Sequence, residues 1–170
     1  MCNPGAAMNR KRIWGWWFFD WASQPYATLL MTFIFPVYYA GVARDHYMAQ
    51  GMTSDAAGAS AQVLWGYGLA ICGAIIAVLA PILGAIADNS GRRLVWIWLF
   101  SGFYVAGAWG LWFLMPGQPN LHLAVMSFGI GLIGMEFATI FTNALLPGLA
   151  PREEIGRLSG SGFAFGYLGG

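Results

Sequence analysis

Four apolar runs, roughly Trp14 to Ala43, Gln62 to Ala87, Leu94 to Leu114 and Leu121 to Leu149, restrict what this chain can fold into more than any other feature. A hydrocarbon layer about 30 Å thick is crossed by about 20 helical residues, and only a helix or a closed barrel satisfies backbone hydrogen bonds there. Each run meets that length, and none shows the alternation of barrel strands. The expected fold is an all-α membrane protein. Composition agrees: 9% of the residues are charged, where a soluble domain has about 25%. Glycine, 24 of 170 residues, is about twice as frequent as usual, which points to helices packing closely in lipid.

The polar stretches between the runs set the orientation. Arg10, Lys11 and Arg12 precede the first run, Arg92 and Arg93 lie between the second and third, and Arg152 and Arg157 follow the fourth. Only Arg44 occupies either of the other two connections, so seven of the eight basic residues share one side. The positive-inside rule puts the N-terminus on the cytoplasmic side. Trp14, Trp16 and Trp17 then fit an interfacial aromatic belt. A cleaved signal fits poorly, because Asp20 interrupts the first run and the apolar part is too long.

A fifth apolar segment begins near Gly156 and stops at Gly170, 13 residues past Arg157, about 20 Å of helix. The expectation is a chain that ends inside the membrane as part of a longer protein. Cys2 and Cys72 belong to different depths, so a disulfide is not expected. The net charge of +1 offers no face for nucleic acid, and neither a metal-ligand spacing nor a cofactor motif appears. His46 and His122 fall in different outer loops.

The most informative motif joins the second and third runs: Gly84-Ala85-Ile86-Ala87-Asp88-Asn89-Ser90-Gly91-Arg92-Arg93. Asp88 stands at a helix C-terminus and the two arginines at a helix N-terminus, each the unfavourable end of the macrodipole by about 0.3 to 1 kcal/mol. Topology anchoring explains the arginines and a left-handed turn residue explains Gly91. Asp88 calls for a helix N-terminus or a cation from elsewhere, and Gly84 for a closely approaching partner.

Gly-x-x-x-Asp-x-x-Gly-Arg-Arg in this position resembles the cytoplasmic signature of the major facilitator superfamily. The resemblance implies that Gly84, Asp88, Gly91, Arg92 and Arg93 form a conformational latch between two six-helix halves. Phe19-Asp20-Trp21-Ala22-Ser23-Gln24-Pro25-Tyr26-Ala27, Asn143-Ala144-Leu145-Leu146-Pro147, Gly156-Arg157-Leu158-Ser159-Gly160 and Gly166-Tyr167-Leu168-Gly169-Gly170 are similar to the vacuole-effluxer-like branch. That branch includes fungal amino-acid effluxers and bacterial members, so the resemblance implies helices 1 to 4 and part of helix 5 of a twelve-helix fold. Residues 1–13 are then a cytoplasmic segment and 14–170 an N-terminal transmembrane half, with helices at about 14–43, 62–87, 94–114, 121–149 and 156–170. It further implies a small-molecule substrate such as an amino acid, a coupling proton, a C-terminal half as partner, and a bacterial inner membrane. The fourth helix departs from the wider superfamily in lacking the arginine that many proton-coupled members carry.

Two acids fall well inside the runs, Asp20 in the first and Glu136 in the fourth. Asp20 lies about 12 Å along the helix from Arg12, and Glu136 about 22 Å from Leu121. Acids at membrane depth face a bundle interior or a water-filled cavity, which makes both candidates for substrate or proton handling. In the resembled fold the first and fourth helices are equivalent members of inverted repeats lining one cavity. Asp20-Trp21-Ala22-Ser23 and Glu136-Phe137-Ala138-Thr139 match as acid, aromatic, alanine, hydroxyl. Asn143, two turns beyond Glu136, belongs near the same face. The alternative for Asp20 is pairing with a loop arginine to order the bundle. Pro25, Pro36 and Pro81 each remove a backbone donor from a run and imply kinks.

Two rival classes remain. An intramembrane enzyme is disfavoured: Ser159-Gly160-Ser161-Gly162 has no histidine at matching depth. A polytopic scaffold or assembly protein would carry the same composition, with its polar residues bonding helix to helix rather than facing water.

Overall fold

A computed structural model describes residues 10–170; of residues 87–90 it describes the backbone but not the side chains. Cys2 and the Asp88 carboxylate therefore lie outside the described residues. Those described are mostly helical, with no strand among them: α1 (Arg10–Pro25), a π-helical stretch (Tyr26–Phe33), α2 (Phe35–Ala49), α3 (Ser54–Ser90), α4 (Arg93–Gly110), α5 (Leu121–Asn143) and α6 (Arg152–Tyr167). Four helical runs, Arg10–Ala49, Ser54–Ile86, Arg93–Phe113 and Leu121–Gly148, are long and apolar enough to cross a membrane. The chain is an all-α, multi-pass membrane protein.

The first run changes its winding where its prolines fall. Pro25 closes α1 and Pro36 stands in the first turn of α2. Between them the Ile34 amide donates to the Leu29 carbonyl five residues back at 2.9 Å, and the Thr32 hydroxyl donates to the Ala27 carbonyl at 2.7 Å. A ring at Pro36 would meet the carbonyl four residues earlier in an α-helix, and a widened turn removes that clash while keeping neighbouring groups bonded. Pro81, by contrast, sits inside a continuous α3.

Local chemistry sets most boundaries. Asn120 caps α5, its side chain accepting from the Leu123 amide at 3.0 Å. Glu153 and Glu154 occupy the first turn of α6, where the helix dipole favours them. Past Asn143 the apolar run continues but the helix does not: Pro147 lies in a short 3₁₀ turn, Leu146–Gly148.

The core is built around α5, and α4 packs on it most extensively. Their contact is backbone against backbone: a methyl added at Gly107 would lie 2.5 Å from the Gly131 Cα and 2.6 Å from the Ser127 carbonyl oxygen. Small residues at such a crossing let dispersion and weak polar contacts hold helices together in a solvent that gives no hydrophobic drive. The opposite side of α5 meets α3, and α6 packs on α1. Val63, Tyr67, Ile71, Val78 and Ile82 of α3 are all exposed at spacings that make one stripe along the helix. In water such a face would be an aggregation hazard, whereas here it is a surface for lipid or further helices.

Candidate functional site

The α3–α4 hairpin carries the motif. Gly91 takes φ +63° as the left-handed residue ending α3, a conformation that only glycine adopts without cost. The placement of Arg93 against the α4 dipole also finds its reason. Its Nη1 donates to the Ala144 carbonyl at 2.5 Å, and Ala144 caps the C-terminus of α5. The guanidinium is thus unfavourably placed on its own helix and favourably placed on its neighbour, whose orphan carbonyl it satisfies. Neither Arg92 nor Arg93 is free. At Gly84 an added methyl would meet nothing within 4 Å, so no described residue uses the close approach that this glycine permits.

Asp20 lies in the α1–α6 seam. Its carboxylate carbon would be 3.0 Å from a methyl added at Gly166, and Gln24 Nε2 would be 3.4 Å away. The same comparison puts Gly162 against Trp16 and Gly170 against Thr28. Glycines at 162, 166 and 170 therefore face Trp16, Asp20, Gln24 and Thr28, two stripes of four-residue spacing meeting along one seam. A larger side chain at 166 would displace the carboxylate.

Glu136 is half-buried on α5, flanked by Met135 and Phe137, which are closed off in the core. Among the described residues neither Glu136 nor Asp20 has an ion pair or hydrogen bond to its carboxylate, and the two do not bond each other. Asn143 is exposed at the last position of α5, next to the Ala144 carbonyl that Arg93 holds. The matched quartets are not equivalent: Phe137 is 1% exposed in the core, while Trp21 is 41% exposed. Ser23 donates to the Asp20 carbonyl at 3.0 Å, whereas Thr139 reaches Met135 Sδ at 4.0 Å.

Tyr26 is the residue that sequence reasoning passed over. It is 1% exposed, opens the π-helical stretch, and donates its hydroxyl to the Phe128 carbonyl of α5 at 2.9 Å. Its ring meets Tyr104 edge-on at 5.1 Å and stacks on Phe128 at 5.9 Å. Trp65, Phe35 and Tyr39 extend this cluster toward α3. The available signal was a tyrosine directly after a proline inside an apolar run, a hydroxyl that needs a partner at depth.

Residues 8–159 match the model of the family described as vacuole effluxer Atg22 like. The chain belongs to that family. It is also 30% identical over 156 residues to the uncharacterized MFS-type transporter YxiO of Bacillus subtilis (strain 168), an alignment covering 91% of this chain and 34% of that protein. The chain thus spans about a third of the length of the curated relative it matches. No solved structure matches it. Of the stretches similar to the vacuole-effluxer-like branch, Phe19 to Ala27 and Asn143 to Pro147 fall within the matched residues, Gly156 to Gly160 does so as far as Ser159, and Gly166 to Gly170 lies beyond them.

Proposed function

We propose that the chain forms the first helices of a secondary active transporter that moves a small solute, an amino acid being the leading candidate, by alternating access. The observation that carries the reading is the pair of carboxylates at membrane depth, Asp20 and Glu136, unpartnered among the described residues of a chain in a transporter-like family. A carboxyl group left so is costly in lipid and is retained where water, a proton or a cationic solute reaches it. Glu136, with a substrate ammonium or a coupling proton as its counterpart, is the stronger candidate. The seam position of Asp20 supports a share in ordering the bundle as well. Asn143 is assigned to the same pathway on its shared helix with Glu136.

Rocking against a second helical half, supplied by further sequence, provides the alternation. Gly84, Asp88, Gly91, Arg92 and Arg93 are assigned to the latch that biases one state. The open approach to Gly84 supports a partner from that second half, and the Arg93 bond to α5 supports a hairpin held firmly enough to transmit force. The orientation proposed is N-terminus inside, from the distribution of Arg and Lys; a bacterial inner membrane is proposed from the resemblance to the bacterial members of the branch.

The test is counterflow by the natural full-length protein in liposomes, screened over amino acids with and without a proton gradient. At least one amino acid should exchange; Glu136→Gln should abolish the exchange or its proton dependence, and Asp88→Asn should depress it with insertion intact. Exchange unchanged in both variants refutes these assignments, and no exchange of any amino acid refutes that substrate class.

A further inference from the structure

At the end of the bundle that carries most of the basic residues, α1 and α6 line an open cavity of about 480 Å³ that the transport reading does not use. Arg10 and Trp14 line it from α1, with Trp17 one turn further in; Arg157 and Glu154 line it from α6. Two guanidiniums and one carboxylate leave it with a surplus positive charge. Among the described residues neither Arg10 nor Arg157 makes an ion pair or a hydrogen bond, so both forks of donors are uncommitted. Trp17 contributes its ring to the wall, while its indole nitrogen is buried and closed off from the cavity. Ser161 adds only an acceptor oxygen, since its hydroxyl hydrogen goes to the Leu158 carbonyl at 2.8 Å.

Deeper along the same seam the wall becomes aromatic and apolar. Phe165 of α6 lies 6.2 Å from Trp14, 6.0 Å from Trp17 and 5.5 Å from Phe18, and Phe18 lies 6.3 Å from Trp21. Trp14, Phe18 and Trp21 are all more than two-fifths exposed. A cationic, donor-rich mouth that continues into an exposed aromatic strip running toward the membrane interior fits a molecule with an anionic phosphate head and an acyl tail. Guanidinium forks match phosphate oxygens in pairs, and indoles sit naturally at headgroup depth.

We propose that this cavity is a binding site for the headgroup of an anionic phospholipid of the same leaflet, with Arg10 and Arg157 holding the phosphate and the Trp14–Phe18–Phe165 strip receiving an acyl chain. The charge balance selects the lipid class. A zwitterionic head would bring its own cation against two arginines, whereas a glycerol-phosphate head brings a net negative charge. Glu154 faces the same space and limits the surplus, which disfavours a highly charged ligand.

The experiment is native mass spectrometry of the natural full-length protein with phosphatidylglycerol and phosphatidylcholine of identical chains. Wild type should retain phosphatidylglycerol preferentially. Each arginine contributes about a fivefold preference by its charge near the surface, so Arg10→Gln with Arg157→Gln should reduce the ratio at least tenfold. Arg10→Lys with Arg157→Lys, which keeps the charges that set topology, should retain most of it. Arg152→Gln, at the same end but outside the cavity, should leave it unchanged. An unchanged ratio in the Gln pair, an equal loss in Arg152→Gln, a preference for phosphatidylcholine, or displacement by inorganic phosphate at millimolar concentration overturns the assignment.

Discussion

Replacing Gly107 by alanine tests the packing logic at its tightest point, and Gly102 on the same helix supplies the control. At Gly107 the new methyl carbon would stand 2.5 Å from the Gly131 Cα and 2.6 Å from the Ser127 carbonyl oxygen, both of them backbone atoms. Ordinary carbon contacts lie at about 3.5 to 4.0 Å, so α4 and α5 must part by about 1 Å. No flexible side chain can yield instead. Overpacking of this kind costs about 1 to 3 kcal/mol. At Gly102 nothing lies within 4 Å of the added methyl, and alanine there gains up to about 1 kcal/mol of helix propensity. The two variants differ by one methyl each on one helix, yet their stabilities should diverge by about 2 to 4 kcal/mol. Reversible unfolding in mixed micelles, followed by circular dichroism, reads that difference. Gly107→Ala as stable as Gly102→Ala would refute the close crossing of α4 and α5.

Tyr26→Phe removes the hydroxyl that reaches the Phe128 carbonyl while keeping the ring, and should lower stability by about 1 kcal/mol in the same assay; an unchanged midpoint argues against that bond. Arg93→Gln withdraws the cation from the Ala144 carbonyl and should cost about 1.5 kcal/mol or more, with faster amide exchange at the end of α5 than at its start. Arg93→Lys should restore part of both effects, and uniform exchange along α5 in Arg93→Gln contradicts the cap.

The helical, membrane-spanning architecture was legible because lipid leaves the backbone so few options: run length and scarcity of charge were enough. Gly91 was legible for a similar reason, since a hairpin between two spans needs a left-handed residue and glycine is the one that supplies it cheaply. The partner of Arg93 was not, because the compensating dipole belongs to a helix ending 51 residues later. Pro25 and Pro36 announced an irregularity, but a bend and a widened π-helical turn have the same sequence signal. What distinguishes them is the Thr32 hydroxyl and the tertiary anchor of Tyr26. The repeated quartet misled in one respect: Phe137 and Trp21 share a register in sequence and not in burial, because the α5 aromatic faces α4 and the α1 aromatic faces outward. The seam partner of the glycines at 162, 166 and 170 emerged only once α6 was seen lying along α1.

The most direct test of the transport account is water access at residue 136. With Cys2 and Cys72 replaced by serine in the natural full-length protein, a cysteine at Glu136 should react with a small membrane-impermeant thiol reagent. Its rate should change when the Asp88→Asn substitution shifts the conformational balance. Protection of position 136 in both backgrounds, while a cysteine in the Gly117 turn labels normally, would contradict a hydrated carboxylate at the centre of an alternating-access pathway.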